Sequence, residues 1–247
     1  MVVTMPRILF SDGKSYDLQL SDFHLEDVAL RYVETGDRHG NNNIRSDYEK
    51  MTAAQVIAYI KPEIAREALA VKVDDKLVPL TAKITQNCSL EPITRVDGKE
   101  GAMVYYRSLA VVLAACIYEI QPECDLMDVR LYEDHCELYY NCAVKYELLT
   151  GNIAQWMKRV ESQDSIIAYR DIWPKEMLED SFDALQQSYN KARLSSYDEY
   201  ENVPVVIYGQ YAMAVDPTEV FVTRTAVLHL SQVDVVDEPG KCVIKGY

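Results

Sequence analysis

Apolar residues in this chain recur with the periods of helices and strands, and the longest helical pattern covers residues 105–120. Its apolar positions repeat at steps of three and four, as on one face of a helix: Leu109, Val112, Leu113, Cys116, Ile117 and Ile120. Gly101 precedes the pattern, and Pro122 is expected to end the helix. We therefore predict a long helix that buries its apolar face in a domain core.

Shorter apolar runs lie before this helix and predict a small sheet with one helix. Residues 7–10 and 16–20 are expected to form two strands around a turn at Gly13. Thr52 is suited to cap a helix over residues 53–60, because its hydroxyl accepts from the free amides of a first turn. Further strands are predicted at residues 69–73, 77–80 and 89–93, whereas residues 21–50 are polar and charged.

After the long helix, strand patterns alternate with helical ones. Helices are predicted at residues 151–161 and 174–194, and Pro174 fits the first turn of the second. Strands are predicted at residues 126–132, 136–144, 165–172, 203–208, 211–215, 220–230 and 242–244. This order of elements indicates an α+β fold.

Composition and charge narrow the functional classes. The chain has 247 residues, a formal charge of −14 and a pI of about 4.7, and its length allows one large domain or two small ones. Because so acidic a surface repels phosphate backbones, extensive nucleic-acid binding is not expected. No signal peptide and no apolar run of ~18 residues is visible, so we expect a cytoplasmic protein that spans no membrane. The six cysteines form no CxxC pair and are expected to be free thiols.

Motifs for catalysis are weak in this sequence. Gly13-Lys14-Ser15 has the form of a P-loop end, but Ile8 stands where that loop needs its first glycine. His135, Cys136 and Cys142 match no standard zinc spacing. No nucleophile-elbow motif is present, and Ser108 has no catalytic partner near it in the sequence. The chain alone is therefore not expected to be an enzyme.

The N-terminal segment contains a hairpin pattern with a family resemblance. Residues 70–80 read AVKVDDKLVPL, which resembles the hairpin of the TGS domain, a small ubiquitin-like sheet. Asp75 stands where that family has a glycine. The resemblance implies a TGS-like domain over residues 1–97, with an insertion at about residues 21–50.

The 105–120 helix resembles one in the second, editing-type domain of threonyl- and alanyl-tRNA synthetases. That helix opens with His-Ser-x-x-His, and its two histidines help to hold zinc. Here Arg107 and Val111 replace the histidines, while Ser108 is retained. The family's remaining ligands, a cysteine and a histidine beside a proline, correspond to Ala214 and Thr218. The resemblance implies that residues 98–247 form a two-layer α/β sandwich of the editing type that lacks all four zinc ligands, so we expect no metal.

The same two domains, with arginine-serine in the helix, also resemble the N-terminus of bacterial uridine-kinase-like nucleoside kinases. This resemblance implies that a P-loop kinase domain follows in the full-length protein, which is then an ATP-dependent uridine or nucleoside kinase. ATP and magnesium are expected only for that missing kinase domain, and no cofactor is expected for this chain.

Three hypotheses for the function follow. The first is a non-catalytic ligand-binding or regulatory module of such a kinase-like protein, whose partner is a nucleotide, another anionic small ligand or the adjoining kinase domain. The second is a divergent hydrolase that edits mischarged tRNA without zinc, using Arg107 and a water. The third is a protein-interaction scaffold that binds no small ligand.

The ligand-binding residues that we predict surround the cleft left by the lost zinc site: Arg107, Ser108, Tyr211 and Asp216. A buried guanidinium needs an anionic or carbonyl partner. Arg107 is therefore expected to face either an internal carboxylate, with Asp216 as the first candidate, or the phosphate or carboxylate of a ligand.

Overall fold

The structure, a computed structural model, describes residues 6–18, 51–95, 97–141, 146–185, 187–198, 202–238 and 240–246. The chain divides into two compact units, Met1–Thr94 (unit 1) and Arg95–Tyr247 (unit 2), which are described separately. The predicted insertion at residues 21–50 lies outside the described residues. The units combine helices with separate, largely antiparallel sheets, which is the predicted α+β class.

Unit 1 packs a short helix on a five-stranded sheet whose strand order is β2-β1-β7-β4-β5. Strands β1 and β7 are parallel, whereas the other neighbours in the sheet are antiparallel, and β3 pairs with β6. The elements are β1 (Arg7–Phe10), β2 (Ser15–Asp17), β3 (Met51–Thr52), α1 (Ala53–Ile60), α2 (Pro62–Ala65), β4 (Ala70–Val73), β5 (Lys76–Val78), β6 (Lys83–Ile84) and β7 (Cys88–Ile93).

Local sequence explains two features of unit 1. Thr52 caps α1 as predicted, and Gln55 completes the capping box by accepting from the Thr52 amide at 2.9 Å. The β4–β5 turn forms without glycine, because Asp74 and Asp75 both adopt positive φ, 49° and 64°. The Asp74 side chain also accepts from the Ser89 amide at 2.8 Å, which ties this turn to β7.

In the residues that the structure describes, unit 2 contains a long helix, two sheets and three further helices. One sheet has the order β13-β14-β9-β8 and the other β10-β11-β12. The elements are α3 (Gly98–Ile120), β8 (Asp125–Leu131), β9 (Cys136–Asn141), α4 (Tyr146–Gln163), β10 (Ala168–Pro174), α5 (Lys175–Ala184), α6 (Ser188–Leu194), β11 (Asn202–Tyr208), β12 (Tyr211–Ala214), β13 (Val233–Glu238) and β14 (Lys241–Gly246), with 3-10 turns at Thr225–Leu228 and Leu230–Gln232.

The α3 helix is the core element of unit 2 and contacts strands of both sheets. It is the one helix in the described residues that is long and apolar enough to cross a membrane, but 83% of its apolar window is buried inside the protein. This burial identifies it as a core helix. It begins earlier than predicted, since Gly98, at φ +62°, is its first residue and Gly101 is a buried residue inside the helix.

Two predicted elements of unit 2 differ in the structure. The predicted 174–194 helix is two helices, because α5 ends at Ala184 and the side chain of Asp125 accepts from the Ser188 amide, at 2.8 Å, at the start of α6. The predicted 220–230 strand is an extended loop followed by 3-10 turns. Its Val222 amide donates to a helix side chain and not to a neighbouring strand.

The cysteines depart in part from the expectation of free thiols. Cys88, Cys116, Cys136 and Cys242 are free, whereas Cys124 is disulfide-bonded. The prediction is therefore wrong for Cys124. Burial raises the pKa of the Cys116 and Cys136 thiols above the ordinary value for cysteine. Since the thiolate is the nucleophile, these two buried thiols are poorly suited to nucleophilic chemistry.

Candidate functional site

The candidate site lies where the middle of α3 meets the loop that follows β12. Ser108 links the two, since its hydroxyl donates to the Val104 carbonyl at 2.7 Å and accepts from the Val222 amide at 3.0 Å. The Ser108 side chain is fully buried. Both hydrogen-bonding capacities of this hydroxyl serve the fold, so its direct contribution is to hold the loop against α3.

Arg107 precedes this serine and points toward the same loop. Its Nη1 donates to the Val220 carbonyl at 3.4 Å, and its guanidinium carbon lies 5.8 Å from the centre of the Phe221 ring. Its Nε lies 3.5 Å from the Glu219 carboxylate. This separation is that of an ion pair, and the buried Nε has no hydrogen-bond acceptor among the described residues. The carboxylate partner of Arg107 is thus Glu219 and not Asp216, the first candidate from the sequence.

Glu219 is shared between two arginines. Its Oε2 accepts from Arg193 Nη2 at 2.7 Å and from the backbone amide of Asp216 at 2.8 Å. Arg193 Nη1 in turn donates to the Tyr189 hydroxyl at 3.1 Å. We call Arg107, Arg193, Glu219 and Tyr189 the arginine–glutamate cluster. It places two permanent positive charges around one carboxylate.

The two arginines differ in how well their charge is compensated. Burial lowers the pKa of Arg107, and the attraction of Glu219 offsets this only in part. Burial also disfavours the charge of Arg193, but Tyr189 and Glu219 together outweigh it and raise the pKa. Arg107 is therefore the less well compensated of the two charges.

Asp216 borders the cluster but belongs to a turn. Its Oδ1 accepts from the Thr218 amide at 2.8 Å and from the Thr218 hydroxyl at 2.6 Å. These hydrogen bonds are the main reason that the pKa of Asp216 is lowered, and Arg193 and Arg107 add to the effect. Asp216 thus contributes negative charge near the arginines while its hydrogen bonds shape the loop.

Tyr211 occupies a different part of unit 2. Its ring packs 5.9 Å from that of Tyr118, which lies eleven residues after Arg107 and hence ~16 Å further along α3. Burial raises the pKa of Tyr211. Of the four residues predicted from the sequence, the structure brings Arg107 and Asp216 together around Glu219, encloses Ser108 in the helix–loop contact, and places Tyr211 elsewhere.

The residues at the four positions of the family's zinc site do not suit a metal. Arginine keeps its proton, and valine and alanine have no lone pair to donate. Val111 and Ala214 are fully buried apolar residues. The part of the chain that the structure describes also holds no group of three histidine, cysteine or acidic side chains able to bind a metal. We therefore derive no metal chemistry for this site.

Sequence reasoning missed three members of the cluster: Tyr189, Arg193 and Glu219. Glu219 follows Asp216 by three residues and accepts from its amide, a spacing that side chains use at turns and caps. That signal could have identified Glu219. Residues 107, 193 and 219 meet because of the tertiary fold, and no local sequence pattern predicts this contact.

Comparison with known proteins shows which proteins this chain resembles in sequence. No protein-family model matches the chain. The threonine–tRNA ligase of Ehrlichia canis is 25% identical over 176 residues, which is 69% of this chain and 27% of the relative. That of Aromatoleum aromaticum is 27% identical over 173 residues, with the same shares. That of Symbiobacterium thermophilum is 33% identical over 86 residues, 35% of this chain and 13% of the relative.

The chain thus contains a threonyl-tRNA-synthetase-related domain, and the predicted synthetase resemblance is confirmed at this level. It spans only 27% of the length of the first two relatives. The TGS assignment and the nucleoside-kinase context stay predictions.

Proposed function

We propose that this chain is a non-catalytic binding module of the threonyl-tRNA-synthetase second-domain type, in which an anionic ligand binds at the arginine–glutamate cluster. The observation that carries the proposal is the position of Arg107. It stands where the related domain has a zinc ligand, yet it faces a carboxylate that Arg193 already binds more closely.

Within the cluster, Arg107 uses only part of its hydrogen-bond donors. A guanidinium has five N–H donors, and among the described residues Arg107 uses one of them, in a long bond of 3.4 Å to a carbonyl. Glu219 directs its shorter bonds to Arg193 and to the Asp216 amide. The Arg107 side chain is 18% exposed, so part of it is open to solvent and to an approaching oxyanion. A phosphate or carboxylate there would accept two parallel N–H bonds.

Internal carboxylates limit the affinity of such a site. Glu219 neutralises part of the charge of both arginines, and Asp216 lies close enough to have its pKa lowered by them. We therefore expect binding of inorganic phosphate in about the millimolar range. Removing the charge of Glu219 frees both guanidiniums and should strengthen binding, whereas removing Arg107 should abolish it.

Isothermal titration calorimetry with inorganic phosphate, ATP and UMP, in phosphate-free buffer of low ionic strength, tests this proposal. Arg107→Ala should lose anion binding, and Glu219→Gln should bind at least several-fold more tightly than the wild type. Arg159→Ala is a matched control, because Arg159 pairs with Glu119 on an exposed part of unit 2. Equal affinity in the wild type and in Arg107→Ala, or the absence of any anion binding, would contradict the proposal.

A second candidate function, hydrolysis of mischarged tRNA, is favoured by the relatives reported above, which are tRNA ligases. The donor set at the site opposes it, since the described residues offer no group of three metal ligands there and no activated nucleophile. A deacylation assay with mischarged tRNA for threonine separates the two candidates. We expect no turnover above spontaneous hydrolysis. Turnover that Arg107→Ala abolishes would favour the hydrolase.

The larger context is part of the proposal. We propose that the module regulates or assists a catalytic domain in a longer protein, and the nucleoside-kinase context implied by the sequence is one such arrangement. If no anion binds and Glu219→Gln changes only stability, the third hypothesis, an interaction scaffold, becomes the better explanation.

A further inference from the structure

A buried amide network lies in unit 2 beside the start of α6, apart from the arginine–glutamate cluster. Asn190 is fully buried, and Gln187 is 3% exposed. Backbone hydrogen bonds fix Gln187 in place, since its amide donates to the Phe182 carbonyl at 2.9 Å and its carbonyl accepts from the Lys191 amide at 3.0 Å. The side-chain amides of this pair therefore have defined positions.

The orientation of both side-chain amides follows from one backbone donor. The Ala214 amide can only donate, and it donates to the Asn190 side chain at 3.2 Å, so Oδ1 of Asn190 must lie there. The Nδ2 of Asn190 then faces Gln187 and donates to its Oε1 at 2.6 Å. This leaves Gln187 Nε2 on the opposite side. An exchange of the oxygen and nitrogen of Gln187 would bring two donors together.

Gln187 Nε2 is buried and has no hydrogen-bond partner among the described residues. An unpaired buried donor is costly, and native structures rarely leave one without a partner. Gln187 lines a small cavity with Tyr118, Tyr140, Tyr211 and the apolar residues Ala114, Ile117 and Leu126. Its volume, as the space open to the centre of a water molecule, is about 10 Å³. That is close to the space that one water molecule needs.

We propose that this cavity is a binding site for one internal water molecule, which accepts a hydrogen bond from Gln187 Nε2. Most of the surface that lines the cavity is apolar. Besides Gln187, the lining residues Tyr118, Tyr140 and Tyr211 carry hydroxyl groups, and the second polar partner that a buried water requires would come from these. The cavity is too small for a larger ligand, so the proposed occupant is water alone.

Solution NMR on the full chain tests the site directly. The side-chain amide protons of Gln187 should show a cross-relaxation peak to a long-lived water, and Gln187→Met should remove this peak. If the wild-type amide protons are assigned and show no water contact, the proposal is wrong.

A double-mutant cycle gives an independent measurement. Ala114→Val fills the cavity, so in the wild-type background it displaces the water and leaves the Gln187 donor unpaired. Ala114→Val should lower the melting temperature by about 2–4 °C more in the wild-type background than in the Gln187→Met background, where the Gln187 donor is absent. A dry cavity predicts instead that Ala114→Val changes the melting temperature equally in both backgrounds.

Discussion

The arginine–glutamate cluster predicts an unequal response to the loss of its two partners. Arg107→Ala and Glu219→Gln each remove the same ion pair, at 3.5 Å. After Arg107→Ala, Glu219 still binds Arg193 at 2.7 Å and the Asp216 amide at 2.8 Å, so no charge is left unpaired. After Glu219→Gln, two guanidiniums that are 18% and 27% exposed face each other without a carboxylate between them.

The expected loss in the free energy of unfolding differs between the two variants for this reason. Arg107→Ala removes a long hydrogen bond, a partly screened ion pair and the contact with Phe221, which together cost about 1–2 kcal/mol. Glu219→Gln removes the charge from a bond of 2.7 Å and adds repulsion between two part-buried charges, so we expect a cost of about 2–4 kcal/mol. The free energy of unfolding should therefore fall more for the glutamate variant.

Urea unfolding followed by circular dichroism measures the change in the free energy of unfolding for both variants, provided that the slope of this free energy with urea concentration is the same as in the wild type. Glu179→Gln is the control for the charge change, because Glu179 pairs with Lys175 at 3.7 Å with its side chain 50% exposed and should cost less than about 1 kcal/mol. If Arg107→Ala costs as much as Glu219→Gln or more, Glu219 is not the shared carboxylate of the cluster, and the anion-binding argument loses its basis.

Three further predictions concern metal, activity and acid stability. Elemental analysis after mild chelation should find no stoichiometric zinc. One equivalent of zinc held at nanomolar affinity would contradict the interpretation that the zinc site is lost. The purified chain should not phosphorylate uridine or cytidine with ATP, because it has no phosphate-binding glycine loop. Phosphorylation by the purified chain that a point substitution in this chain abolishes would contradict the prediction. The pKa of Asp216 lies below its ordinary value of 3.8, so its stabilising contribution is complete above that pH and is lost as the pH falls through the folded pKa. Asp216→Asn should therefore lower stability at neutral pH and flatten its decline toward acid, and an unchanged acid profile would contradict this assignment.

Periodic patterns predicted many of the regular elements, because those elements are specified by their own residues, but they missed the strand β13. The α3 helix, its end near Pro122 and the Thr52 cap depend on local spacing and capping chemistry. The predictions failed where a distant residue decides the local structure. Asp125 begins α6 from another element, and the Ser108 hydroxyl holds the Val222 amide that a strand at that position would use.

The sequence led to Arg107 but not to the side chains that Arg107 contacts. The family resemblance located Arg107, and general electrostatics required an anionic partner for it. The choice between Asp216 and Glu219 depends on the turn, where Asp216 is occupied by Thr218. Arg193 comes from α6, and no spacing rule connects it to α3.

The cluster also explains why two substitutions cannot restore the metal site of the related domains. Arg107→His with Val111→His would place two imidazoles on α3, but Ala214 and Thr218 still supply no cysteine or histidine from the other side. The buried Val111 position would receive a polar ring without a designed partner, which is costly. Arg193 would keep Glu219 engaged, so that carboxylate is poorly placed to act as a third ligand. Apolar packing at two of the four positions and an ion pair at a third therefore oppose the assembly of a metal site there.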